Sequence, residues 1–176
     1  MSGQRSPSQA RTKLVALLQS TLPAALDVVD AQFGDDITLE DIHNSAYWRA
    51  HLPLYDQPRN LVLAPRDTDV NEIEGNCTHL SHFFDLDLVF LSQFEGTSTY
   101  TPQEELLERI ERTEQAVHTI LDTDAGKYIT VSGVNYCDRL YYHSTSWPVL
   151  RGLEDPDQLF EAFATMDVEV RVSMDS

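Results

Sequence analysis

Between His79 and Asp122 the spacing of apolar residues changes period once and sharply. Phe84, Leu86, Leu88 and Phe90 alternate with Asp85, Asp87 and then Val89 and Leu91, a period of two that predicts one long strand over residues 79–94. Downstream, Leu106, Leu107, Ile110, Val117, Ile120 and Leu121 recur at helical spacing, so a helix runs to Asp122. Its start is marked three times over. Thr101 is an N-cap, Pro102 takes the first helical position, and Glu104 completes a capping box. Residues 96–101 form the turn between the two. Acidic residues crowd the first helical turn, where the helix dipole favours them. Glu105–Arg109 and Glu108–Arg112 stand four apart, a spacing that adds a few tenths of a kcal/mol each. The glutamates of this helix read as its solvated side.

The N-terminal region holds a second helical stripe. Leu14, Leu18, Leu22, Leu26 and Val29 follow one another at helical spacing, which predicts a helix from Thr12 to about Phe33, stopped by Gly34. Pro23 falls inside the pattern and removes a backbone donor. It predicts a kink near Thr21, or two abutting helices. Residues 1–11 hold nothing that could pack and read as a flexible tail.

The remaining segments are shorter. Tyr47 and Trp48 offer an aromatic anchor in a stretch interrupted by Pro53 and Pro58. Residues 60–64, NLVLA, read as a short strand ended by Pro65. Residues 66–75, RDTDVNEIEG, are polar and acidic and read as an exposed loop or a flanking turn. Strands are predicted over 128–131 and 134–143, a loop over 145–157, and a last strand over 159–173. There Val168, Val170 and Val172 alternate with Glu169, Arg171 and Ser173. The fold class is therefore α+β: a mixed, mostly antiparallel sheet with two long helices packed on one face, in a single domain over residues 12–176. The second face of the long strand carries Asp85 and Asp87, then Val89 and Leu91. A lone subunit gains nothing from exposing such a face, which points to self-association.

Composition sharpens this picture. The chain has 176 residues and a formal net charge of -17. That excess of acid argues against non-specific nucleic-acid binding and against anionic membrane surfaces. Lys13 and Lys127 are its only lysines, and the other ten basic side chains are arginines. Such a surface suits a high-salt cytoplasm, where screening weakens self-repulsion; a GC-rich genome produces the same bias. No uninterrupted apolar run approaches the roughly 20 residues of a membrane span, and no hydrophobic signal core opens the chain. Cys77 and Cys137 form no CxxC and read as two reduced thiols.

Candidate chemistry is sparse. His79 and His82 fall on opposite faces of a strand and do not chelate together. Asp85 and Asp87 share a face about 7 Å apart, and are weak candidates to hold a hard cation. No G-x-S-x-G, Walker A or G-x-G-x-x-G occurs. Tyr136, Tyr141, Tyr142 and Trp147 serve packing and subunit contacts in the first instance, and a ligand platform in the second. The reading is of no catalytic residues, no metal and no cofactor. The interaction surfaces expected are Asp85, Asp87, Val89 and Leu91 on the strand face, Tyr47 and Trp48, and a lumen or partner loop carrying Asp67, Asp69, Glu72 and Glu74.

The order of elements resembles the tail-terminator (tail-completion) proteins of long-tailed phages and related tailed viruses. A long N-terminal helix, TKLVALLQSTLPAALDVVDAQF, precedes a long central strand, FFDLDLVFL. The capped helix TPQEELLERIERTEQAVHTIL follows directly, and an alternating strand, DVEVRVSM, closes the chain. The resemblance spans Thr12 to Met174, with 37–59 as material beyond compact members of the family. It implies a structural, non-catalytic virion protein of the neck. Its own copies, usually six, form a ring that caps the tail tube and ends its polymerisation. The tail-tube protein lies below and the head connector above, and DNA passes through the lumen unrecognised. Other neck or head-completion proteins and the tube protein itself are the nearest alternatives, and the two long helices count against the tube. An alternative of another class is a small acidic metal-dependent enzyme or ligand-binding domain built on Asp85, Asp87 and the tyrosines.

Overall fold

The structure, a computed structural model, describes residues 6–51, 57–74, 77–92, 100–146, 148–152 and 160–175. Helix α1 spans Pro7–Asp30 and begins earlier than the apolar stripe requires, because Ser6 caps it through its side chain and Pro7 occupies the first turn. Ala10 is fully buried, so residues 6–11, expected in a flexible tail, belong to the cap and first turns of the helix. Residues 1–5 lie outside the described residues. Pro23 does not divide the helix, which runs on to the C-cap at Ala31, short of Gly34. By length and composition α1 is apolar enough to cross a membrane. Its stripe of Leu14, Leu18, Leu22, Leu26 and Val29 is buried in the core instead.

A 3-10 turn over Asn44–Ala46 leads into β1 (Tyr47–Trp48), which adds parallel to the outer side of β2 (Arg59–Glu74). Strand β2 pairs antiparallel with β3 (Cys77–Ser92). The expected loop over 66–75 is thus strand to residue 74. Pro65 does not end it: among the described residues β2 has no partner on its outer side past Val62, and the register shifts between Pro65 and Asp67. Edges and bulges are where a strand tolerates proline. Gly75 and most of the turn expected over 96–101 lie outside the described residues.

Helix α2 (Pro102–Asp122) carries the anticipated capping box, with Thr101 and Glu104 bonding each other's backbone. A short helix, α3 (Asp124–Tyr128), follows at once. It sits so close to the end of α2 that a Cβ on Gly126 would lie 2.2 Å from the Ile120 carbonyl oxygen. A small hairpin of β4 (Thr130–Val131) and β5 (Val134–Asn135) comes next, then β6 (Arg139–Thr145), β7 (Val149–Gly152) and β8 (Phe160–Asp175). Residues 149–152, expected in a loop, pair with β8, as β6 does further along the same edge. The main sheet runs β1-β2-β3-β8-β6, and among the described residues only the β1–β2 pair is parallel.

The fold is α+β, with both long helices over one sheet face. Leu61 and Leu63 of β2, Phe84, Leu86, Leu88 and Phe90 of β3, and Ala164, Met166, Val168 and Val170 of β8 form the floor of the core. Cross-strand register makes these residues neighbours: Leu63 faces Leu86, which faces Met166. Leu106, Ile110, Val117 and Leu121 of α2 close over them, and α1 packs beside α2.

The acidic side of α2 is not simply solvated. Arg109 pairs with Glu105 at 2.6 Å and donates to the Thr38 carbonyl oxygen. Arg112 pairs with Asp35 and Glu108 and lies over the Phe33 ring, 3.9 Å from its centroid. Glu105, Arg109 and Arg112 are all buried. The segment after α1 crosses this side of the helix and tucks Ile37 and Ile42 inward, so the i,i+4 pairs become anchors for it.

Candidate functional site

The sheet face away from the helices is the surface to which sequence reasoning pointed. Alternate residues of β2, β3 and β8 stand on it in rows set by the register. At one end, Val62, Ala64 and Val89 form a small apolar cluster of their own, with Trp48 and Phe163 packed against it. Trp48 reaches over because β1 lies beside β2, and its indole Nε1 donates to Asn60 Oδ1 at 3.0 Å. Val89, expected at an open interface, is therefore buried within the subunit, and Leu91 is half-buried. Tyr47, the neighbour of Trp48, turns to the main core instead.

Asp87 opposes Val62 on one side and Thr165 on the other, and is only 8% exposed. Burial raises its carboxyl above the ordinary range, against the opposing pull of a Thr165 hydrogen bond and of His51, whose Nε2 is 3.5 Å away. In the next row Asp85 opposes Asp167, and Arg66 bridges the two, at 3.1 Å from Asp85 Oδ1 and 2.7 Å from Asp167 Oδ1. Asp85 and Asp87 do share a face, as predicted, but each has its own partners. Among the described residues no group of three His, Cys, Asp or Glu side chains could hold a metal ion.

Further along, Glu169 is buried at 3% exposure and accepts from three donors. Ser81 Oγ and Arg171 Nε each donate to Oε1 at 2.6 Å, and His143 Nε2 lies 2.7 Å from Oε2. Burial alone would raise this carboxyl, but Arg171, Ser81 and His143 together outweigh it and hold it at about 2. Aromatic rings pave the same area: Arg171 stacks over Tyr141 at 4.5 Å, and Arg66 over Phe83 at 5.6 Å. The two histidines separate as expected. His79 meets Ser173 on this face, while His82 is buried on the helix side with Thr68 as partner and its pKa pushed down by burial.

Asp67 and Asp69 stand exposed on the outer strand β2. Glu72 and Glu74 belong to the same strand, and their side chains lie outside the described residues. The tyrosines do not form one platform. Tyr141 joins the face just described, Tyr142 points to the helix side and bonds Asp122 at 3.2 Å, and Tyr136 lies under the Lys13 ammonium. Trp147 and the Cys77 side chain lie outside the described residues, and Cys137 is buried. A cleft of about 480 Å³ opens on the helix side, where Glu111, Glu114 and His118 of α2 face Thr145 and Ser146. Its acids are Glu111 and Glu114, the latter 3.6 Å from His118 Nε2.

Sequence reasoning missed Arg66, Ser81, His143, Glu169 and Arg171 as a connected set. One signal was available for β2: Thr68, Val70 and, after a bulge, Ile73 keep β-branched residues near a period of two within the acidic run. A scan against models of known protein families finds no match for this chain, and no curated protein matches it.

Proposed function

We propose that this chain is a structural virion protein of the tail-terminator kind, which assembles into a ring, caps the tail tube, ends its polymerisation and joins the tail to the head connector. The observation that carries the reading is the one-sided layering. Two long helices cover one face of three long strands, while among the described residues the other face carries no helix, and Asp67, Asp69, Tyr141 and Arg171 at the ends of its rows stay exposed. Closed rotational symmetry is the simplest way to cover such surfaces, because each copy supplies what the next one lacks. A ring of strongly acidic subunits also presents a lumen that repels DNA phosphates, so a genome slides through without being held. Asp87 has no part in that lumen, being buried; the exposed Asp67 and Asp69 suit a lumen or a partner surface.

The test uses native mass spectrometry of the purified full chain, followed by incubation with polymerising tail-tube protein. A single closed oligomer, and tubes that stop growing once it is added, are the expected results. A chain that stays monomeric over the accessible concentration range, or leaves tube length unchanged, overturns the proposal.

A further inference from the structure

One row of the polar sheet face has opposite charges at its two ends. The register aligns Asp69 with Ser81, Ser81 with Arg171, and Arg171 with Arg139. The adjacent row aligns Asp67, Phe83, Glu169 and Tyr141. Strand spacing puts the acid edge and the arginine edge roughly 14 Å apart, on the same face and at the same level. At the arginine edge two cations stand directly opposite each other, an arrangement that destabilises a sheet unless it is compensated. Glu169 compensates Arg171. Arg139 has instead the rings of Tyr128 and Tyr141, at 5.7 and 5.9 Å, and a 3.5 Å contact with the Tyr128 hydroxyl. No carboxylate pairs with it among the described residues. At the other edge, Asp67 and Asp69 are exposed and have no cationic partner among the described residues.

From this juxtaposition we infer that the β2 edge of one copy docks against the β6 edge of the next, with Asp67 and Asp69 meeting Arg139 and the outer side of Arg171. The partner is a second copy of this chain because the surface that complements the arginine edge is present on the chain itself, at matching height. A twofold pairing of like edges would set Arg139 against Arg139, or aspartate against aspartate. The edge contact is therefore head-to-tail, the kind from which a ring is built when its rotation closes. Pro65 and the register shifts at Pro65/Asp67 and Val70/Glu72 keep β2 from extending the hydrogen-bonded ladder into its neighbour, so side chains make the contact. This inference rests on the ring reading above and adds to it which surfaces meet.

Full-length proteins test it by native mass spectrometry and sedimentation: wild type, Arg139→Glu, Asp67→Arg/Asp69→Arg, and the chain carrying all three changes. Each one-sided reversal should weaken assembly roughly tenfold or more, because like charges then face each other. The triple variant, with the signs exchanged, should assemble again. So should an equimolar mixture of the two one-sided variants, as alternating rings. Arg139→Gln, a milder change, should give an intermediate loss, and added salt should weaken wild-type assembly. A wild-type ring that Arg139→Glu leaves intact overturns this edge pairing and leaves the ring reading standing. Loss of assembly that neither the mixture nor the triple variant restores also overturns it, and points to another acidic partner at Arg139. A wild type that never assembles removes the ring reading and this inference together.

Discussion

The same three strands present two unlike faces, and the contrast lies between residues that are neighbours in the chain. Phe84 is 2% exposed beneath the helices, in register with Pro65 and Val168. Phe83, one position earlier, lies half-buried on the opposite side, touching the Arg66 guanidinium and the His143 ring. The helix-covered face is held by burial and close packing, which require only apolar side chains of suitable size. The other face is held by pairs: Arg66 between Asp85 and Asp167, and Glu169 among Ser81, His143 and Arg171. There each group depends on a particular partner. Around Glu169 a lost partner leaves a buried polar atom unsatisfied rather than a cavity.

The largest expected effect separates the two faces by a single residue step. Phe84→Ala should cost about 3–5 kcal/mol in denaturant unfolding, by lost transfer energy plus a cavity. Phe83→Ala should cost about 1 kcal/mol, because its ring already meets solvent and its contacts are with polar groups. Equal losses at the two positions would mean that something within the subunit buries the polar face as thoroughly as the helices bury the other.

The next effect concerns Glu169. Glu169→Gln keeps the side-chain volume but removes the charge on which Arg171 and His143 converge, and should cost about 2–3 kcal/mol at neutral pH. The pH dependence follows from the depressed carboxyl. Folded Glu169 sits at about 2, against an ordinary 4.5. The unfolded chain therefore takes up its proton first as pH falls. Stability is fully present above about 4.5 and is lost progressively toward 2. The variant should lose less stability across that window. A remainder will persist, because Asp35, paired with Arg112, is also held at about 2. Acid unfolding curves that superimpose for variant and wild type would remove Glu169 from the account.

How much of this was legible follows from the same contrast. The helix-covered face announces itself through period: Phe84, Leu86, Leu88 and Phe90 every second residue, and Leu106, Ile110, Val117 and Leu121 at helical spacing. The capping box at Thr101 and Glu104 is a purely local signal and appears as read. Strand β2 past Pro65 was hidden because acidic residues and a proline imitate a loop, and only pairing with β3 keeps the segment extended. The buried Arg112 looked like a surface residue because its partner, Asp35, is distant in sequence. Glu169 was likewise read as the wet side of an alternating strand. Its partners come from β3 and β6, and no local pattern encodes which polar residues of separate strands will stand side by side. Trp48 covered part of the face expected to lie open, because the parallel addition of β1 to β2 is a tertiary event.

The smallest effect is the most discriminating for the polar face. Arg66 is 44% exposed, so its two ion pairs are of the kind that contributes less than about 1 kcal/mol. Yet Asp85 and Asp167 stand directly opposite each other across β3 and β8, and without a cation between them they repel. Arg66→Ala should therefore cost about 1 kcal/mol at low salt, more than the loss of an exposed bridge alone. The difference from wild type should shrink in high salt, as mobile counterions screen both the ion pairs and the repulsion between the two carboxylates. Asp85→Asn in the Arg66→Ala background should recover most of the loss, since it removes the repulsion rather than replacing the bridge. A cost that ignores both salt and the second change would mean that Arg66 acts through its stacking on Phe83, and that the register of β3 and β8 is indifferent to the charges it brings together.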